Sequence, residues 1–473
     1  MKVARLAPIT AIAVLVSGLG SIARAQEQPP EPYATSVIEE QQRQSAAELE
    51  LMMLFADTFE QIKRNYVRDV TDRELMEAAI KGMLSKLDQY SNFIPPERLQ
   101  RFKSGVENEF GGVGIIVSSN SGRMEVISPL VGTPAYRAGM LPGDRILEIA
   151  GQSTKGLTID GAINLMKGEI GSSVEVKILH PNEVEPVLLK LKREVIRVPT
   201  VFGHRRNDDD SWNYFCDQTR KIGYLRMTGF GRHSVSELRT AVKNLRQQEM
   251  RGLVLDLRFN PGGLLSAAIQ VCDMFVPEGI IVSTKGRNTP QRVWRARKAG
   301  TQEGFPMVVL INHFSASASE IVAACLQDHQ RATIVGERSW GKGSVQNIIE
   351  LENGRSALKL TTAGYRRPSG KNIHRFKDAS DEDEWGVNPN DGFRVKFSGA
   401  ENRALTTFRQ QLDVVKRYAV KNAKPLPKFD DRQLAKALEF LTTQLPLPTA
   451  ALDERRVDVD LAHVVDDDRD ALP

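Results

Sequence analysis

Apolar residues recur at three- or four-residue steps between residues 47 and 88, a spacing that predicts two helices. Leu51, Phe55, Phe59, Ile62 and Tyr66 share one face of the first helix and are expected inside. Thr71 and Glu74 have the spacing of a capping box. They open the second helix, with Met76, Ile80, Met83 and Leu87 inward. From Gly111 the period shortens. Strand-like runs lie at 112–117, 124–127, 145–150, 173–179 and 186–192, with a helical stretch at 158–167. Between 222 and 365, short apolar runs at 253–257, 280–282, 307–311 and 332–335 alternate with helical patterns at 264–275 and 318–327. That alternation predicts an α/β layer. Ligands in such layers gather where strands end and helices begin. Residues 403–443 return to helix, with Leu434, Ala437, Leu438 and Leu441 as the apolar stripe.

The length of 473 residues predicts about three domains. Net charge is only +5, with 64 basic residues against 59 acidic ones, so the total carries no nucleic-acid footprint. Lys2 and Arg5, the apolar run Ala11–Leu19 and Ala23-Arg24-Ala25 read as an export signal cleaved after Ala25. The expected location is therefore the periplasm or cell envelope. Residues 26–46 read as a linker, and Asp466–Asp470 as a solvated acidic tail. Cys216, Cys272 and Cys325 are widely spaced, and the last two read as buried thiols. With neither CxxC nor HExxH in the chain, no metal is expected.

Gly336-Glu-Arg-Ser-Trp-Gly-Lys-Gly-Ser344 invites three readings. As a P-loop it fails, because Gly343 stands where Ser or Thr should hold magnesium and a strand-like run follows. No nucleotide is expected. As an SxxK motif it lacks the SDN and KTG companions. The third reading pairs Lys342 with Ser317, which opens the 318–327 helix at its positive end. A serine needs a base, and a lysine serves when burial keeps its amine neutral. Gln346 stands four residues on, where it can orient that amine, and Asn260-Pro-Gly-Gly263 offers backbone N–H groups for an oxyanion. Taken singly, each segment also reads as a capping run, a plain turn or a surface charge.

Asp256–Gly263, Ser315–Ile321 and Gly336–Gln346 together resemble the three signature blocks of the C-terminal processing peptidases, or tail-specific proteases. The likeness extends to Leu84–Ser91 and to a PDZ-like segment at 111–195. It implies a serine endopeptidase without cofactor. Ser317 matches the nucleophile, Lys342 the base and Gln346 the lysine-orienting residue. Gly263 and Ala318 match the oxyanion donors, with Gly262 in place of Gly263 if the turn is framed one residue differently. Gly112, Val113, Gly114 and Ile115 match the carboxylate-binding loop of the PDZ domain, and Ala162 and Met166 its side-chain pocket. The implied partners are polypeptides with apolar C-terminal tails, with room for an adaptor and for a homo-oligomer. The alternative is a silent or gated PDZ peptide-binding protein of the envelope.

The expected organisation is a signal peptide at 1–25, a linker at 26–46 and an N-terminal helical region at 47–108. A PDZ-like β domain at 109–198 follows, then an α/β protease core of mixed sheet and helices at 199–395, and a C-terminal helical region at 396–473. Residues 204–220 and 374–387 look inserted relative to the family and read as solvated loops.

Overall fold

The computed structural model describes residues 32–107, 109–120, 122–416 and 429–445. The signal peptide, the first part of the linker and the acidic tail lie outside them. The chain divides into two compact units, Met1–Ile80 and Lys81–Pro473.

In the first unit a helix spans Pro32–Asn65. The linker reading of 26–46 is therefore corrected from residue 32 onward. Proline suits the first helical position, where its missing N–H costs nothing, and the Gln, Glu and Ala that follow are good helix formers. The capping box forms as expected. The Thr71 N–H donates to Glu74 Oε2 at 2.9 Å, and the Glu74 N–H donates to Thr71 Oγ1 at 3.2 Å. The expected inward face is corrected too. Leu51 is 66% exposed and Tyr66 50%, and Phe55, Ile62 and Met76 are also exposed. Helical periodicity reports that a face is apolar, not that it is covered.

In the second unit, two sheets and a PDZ-like module are built on one another. Ile222–Met227, Gly252–Asp256, Met307–Ile311 and Thr333–Gly336 form a parallel sheet in that order. Gly252–Asp256 and Met307–Ile311 are buried throughout, as a strand covered on both faces must be. One face packs on helices Ser234–Gln247, Leu265–Phe275 and Ala318–Asp328, through residues such as Leu238, Val271 and Val322. The other packs on Leu434, Ala437 and Leu441 of helix Arg432–Gln444. The 403–443 region is thus two helices, Gly399–Asp413 and Arg432–Gln444.

The run at 280–282 leaves this layer. Ile280–Lys285 joins a second, antiparallel sheet with Asn92–Ile94, Arg292–Arg295, Ser344–Leu351 and Ser356–Arg366. Pairing of Asn92–Ile94 with Ser356–Arg366 places the end of the expected N-terminal region in the second unit. The PDZ-like module is an antiparallel sheet over Ile115–Lys192 with helices Pro134–Arg137 and Ile159–Met166. Its entry and exit strands, Glu109–Gly112 and Glu194–Arg197, pair with each other.

A buried ion cluster ties the sheet to the C-terminal helices. Arg258 contacts Asp256 at 2.6 Å and Asp431 at 2.8 Å, and Arg409 reaches Asp431 at 3.2 Å. Asp431 also accepts from the Leu434 N–H at 3.0 Å, capping the last helix. Against the opposing cost of burial, the Arg258 and Arg409 charges and these hydrogen bonds bring its pKa down to about 2. A depressed carboxylate contributes stability above its unfolded pKa of roughly 3.9 and loses it as pH falls toward the folded value. Asp431→Ala leaves the buried Arg258 and Arg409 with only Asp256 between them and should cost about 3–5 kcal/mol. Urea denaturation at pH 7 should show the drop; an unchanged midpoint would contradict it.

Candidate active site

Three loops leave the same end of the parallel sheet. Residues 257–264 follow Gly252–Asp256, residues 312–317 follow Met307–Ile311, and residues 337–343 follow Thr333–Gly336. Asn260 links the first two. Its carbonyl accepts from the Ala316 N–H at 3.0 Å and from Ser319 Oγ at 2.9 Å, and its side chain donates to the Met227 carbonyl at 2.9 Å. The Trp340 N–H, donated to the Ser315 carbonyl at 2.9 Å, links the second and third.

Ser317 is the N-cap of helix Ala318–Asp328 and is 8% exposed. Its φ of 56° is left-handed, a conformation that costs a non-glycine residue about 1–3 kcal/mol. The turn between strand and helix is thus sharp, and the serine sits at its apex. Glu320 holds it there. The Ser317 N–H donates to Glu320 Oε2 at 2.7 Å. The same carboxylate accepts from the Lys342 N–H at 2.8 Å, the Gly341 N–H at 2.6 Å and Ser339 Oγ at 2.6 Å. One fully buried side chain therefore fixes the Ser317 turn against the Lys342 loop. Burial pushes its pKa up to about 6 despite these four donors.

The Gly262-Gly263 turn lies directly against the serine. A Cβ on Gly262 would stand 2.8 Å from Ser317 Cβ and 2.9 Å from the Ala318 nitrogen. One on Gly263 would strike the Phe230 carbonyl oxygen at 2.3 Å. The Gly262 N–H is spent on Asn260 Oδ1 at 2.9 Å. Neither the Gly263 N–H nor the Ala318 N–H meets an acceptor among the described residues. Of the two framings of this turn, the one with Gly263 leaves a donor free for an oxyanion.

Lys342 is half-buried. Burial, and then the charge of Lys359, push its ammonium below the usual lysine range; Glu320 and Asp88 pull the other way. Its Nζ lies 4.9 Å from the Tyr90 ring centroid. Among the described residues it has no hydrogen bond to Ser317 Oγ. Gln346 departs from expectation: its Nε2 donates to Ser344 Oγ at 2.9 Å and Thr361 Oγ1 at 3.1 Å, and among the described residues its Oε1 accepts no hydrogen bond from Lys342 Nζ. A bulge between Val345 and Gln346 shifts the register of the strand that carries it.

In the PDZ-like module, Val113 and Gly114 join Gly112 to Ile115 between two strands. Their carbonyls accept from Ala135 at 3.0 Å and Leu130 at 2.9 Å, and their N–H groups meet no acceptor among the described residues. Ala162 and Met166 are buried with Val113 in the module's core.

Sequence reasoning passed over Glu320 and Tyr90. The Ser-x-x-Glu spacing from Ser317 is that of a capping box and pointed to the first. Tyr90 lies in the Leu84–Ser91 stretch of the family likeness, but its place beside Lys342 comes only through long-range folding. The insertion at 374–387 is mostly exposed between Arg375 and Glu384, as expected of a solvated loop, but its two ends are tied to the lysine loop: the Arg375 N–H donates to the Gly341 carbonyl at 2.8 Å, and the Val387 N–H to Ser339 Oγ at 2.7 Å.

Residues 221–389 match the model of peptidase family S41, residues 125–179 that of the PDZ domain, and residues 15–97 that of the activating protease CtpB N-terminal domain. The carboxy-terminal-processing protease of Bartonella bacilliformis is 42% identical over 326 residues, 67% of this chain and 71% of that protein. The carboxyl-terminal-processing protease of Synechocystis sp. is 36% identical over 326 residues, 68% of this chain and 74% of its own length. Carboxy-terminal processing protease CtpA of Bacillus subtilis is 34% identical over 319 residues, 67% and 65% of the two chains. The solved photosystem II D1 C-terminal processing protease aligns at 27% identity and TM-score 0.42, over 79% of this chain and 98% of that one. With its S41 core and PDZ domain, the chain belongs to the carboxy-terminal processing proteases, and it is a serine peptidase.

Proposed function

We propose that this peptidase cuts exported polypeptides near their C-termini by a Ser317–Lys342 dyad. The observation that carries the reading is the shared Glu320 carboxylate, which holds the backbones of Ser317 and Lys342 at once. Lys342 takes the Ser317 proton as neutral amine. Ser317 Oγ attacks the scissile carbonyl, and the Gly263 and Ala318 N–H groups receive the oxyanion. The leaving amine takes a proton from Lys342, and water then hydrolyses the acyl-enzyme. Lys342 must leave the Tyr90 ring to do this, and Gln346 must turn to orient it. The arrangement with Lys342 on Tyr90 is thus a resting one. Substrate shifts it only by binding the closed arrangement better.

The free N–H groups of Val113 and Gly114 support capture of a terminal carboxylate by the PDZ domain, with the peptide added as a strand. The Lys2–Ala25 signal supports export to the periplasm or cell envelope. N-terminal sequencing of the mature protein should begin at Gln26.

Residues 26–473 should cut an unstructured polypeptide with an apolar C-terminus, and Ser317→Ala should not. Lys342→Ala should lose at least ~10²-fold in kcat/KM. The rate should rise with pH to an inflection below the roughly 10.4 of a free lysine, because burial favours the neutral amine. An inflection that survives Lys342→Ala would remove the lysine from the mechanism. Activity should persist in chelator, and its loss there would contradict the scheme. Glu320→Ala leaves three backbone donors without their acceptor and should cost about 3 kcal/mol or more in urea denaturation, together with cleavage. Full activity in that variant would show that the carboxylate is dispensable.

A further inference from the structure

A second cavity adjoins the lysine loop. It measures about 220 Å³ and is walled by Tyr90, Trp340, Gly341 and Phe376, with Arg375 and Lys377 at its edge. That is below the roughly 300–1,000 Å³ of a small-molecule site, and suits a single side chain. Its walls are aromatic yet open to solvent: Trp340 is 46% exposed and Phe376 64%. No acidic side chain lines it.

The cavity is held in shape from both sides. The Trp340 Nε1–H donates to Tyr90 Oη at 3.2 Å. His374 packs edge-on against both Tyr90 and Phe376, at 6.5 and 5.0 Å between centroids. The 374–387 insertion is pinned by Trp385, whose ring lies under the Arg338 and Arg375 guanidinium groups at 4.0 and 4.4 Å. Ile373 and Val387, flanking and closing the insertion, are fully buried. The insertion therefore presents Phe376 from a fixed base.

The cavity is also continuous with the catalytic groups. Gly341 precedes Lys342 in the chain. The Tyr90 ring that forms one wall is the ring on which the Lys342 ammonium rests. The cavity is therefore next to Lys342, both along the chain and through the Tyr90 side chain.

We propose that the cavity is a substrate subsite that receives one large apolar side chain, aromatic or branched aliphatic, close to the scissile bond. The proposal rests on the Ser317–Lys342 reading for its register. Its occupant is the polypeptide substrate itself. Arg375 and Lys377 make an acidic neighbour of that side chain welcome and a basic one unwelcome. Filling the cavity also brings the substrate against Tyr90, the ring that Lys342 must leave.

The test uses cleavage and photo-crosslinking together. Cuts made in an unstructured polypeptide mixture by the wild-type enzyme, Phe376→Ser and Trp340→Ala are located by mass spectrometry. The wild type should show a large apolar residue at one fixed distance from the cut. Both variants should lose about tenfold in kcat/KM on a peptide with Leu or Phe there, and little on one with Ala there. Equal losses on both peptides, or an unchanged profile, would overturn the proposal. In parallel, Ser317→Ala protein is irradiated with peptides carrying benzoylphenylalanine at successive positions. One position should label residues 89–90, 340 or 374–377, and Phe376→Ser should abolish that label. Labelling without wild-type cleavage would sink the dyad reading and leave the cavity as a peptide site. Cleavage with labels only elsewhere would leave the dyad and sink the subsite.

Discussion

The active site depends on one buried carboxylate. Glu320 takes four hydrogen bonds from two loops that the chain separates by about twenty residues, and among them are the backbone N–H groups of both Ser317 and Lys342. The arrangement is costly. A carboxylate whose pKa is raised from 4.5 to about 6 on folding subtracts about 2 kcal/mol of stability at neutral pH. Ser317 adds the strain of a left-handed residue. Both costs are borne where the geometry must be fixed before substrate arrives, which is where strain is expected to collect.

The parallel sheet makes that fixing possible. Its strands are buried on both faces and end together, so three loops emerge side by side. They carry Gly263, Ser317 and Lys342 in turn. Asn260 and Glu320 then bind the loops pairwise through backbone groups. Behind them, the Arg258 cluster ties the first loop to the C-terminal helices. The lysine differs from its neighbours in this frame. Its backbone is fixed by Glu320 while its Nζ lies against the Tyr90 ring.

The core was legible from sequence because its signals are local. Continuous apolar runs at 253–257 and 307–311 mark doubly covered strands, and Ser317 announces itself by standing between a strand and a helix. The family blocks located Lys342 by order and separation. What was not legible depends on contacts between distant segments. Gln346 was placed beside the lysine by its spacing and by the family likeness, but it follows a register shift in its strand and bonds to Ser344 and Thr361 instead. The polar run at 374–387 resembles a solvated loop in composition, yet Trp385 and two arginines anchor it on the lysine loop. The apolar face around Leu51 and Tyr66 is real as a periodicity, but a period does not say what covers it.

The central claim is that Ser317, Lys342, Gly263 and Ala318 converge on one reacting carbonyl. The most direct measurement is a crystal structure of the enzyme trapped with a peptide boronate. Boron should be bonded covalently to Ser317 Oγ, with one boronate oxygen within hydrogen-bond reach of both the Gly263 and Ala318 N–H groups. Lys342 Nζ should have left Tyr90 to meet Ser317 Oγ. Boron on another residue, or bound at Ser317 with Lys342 still on the tyrosine ring, would contradict it.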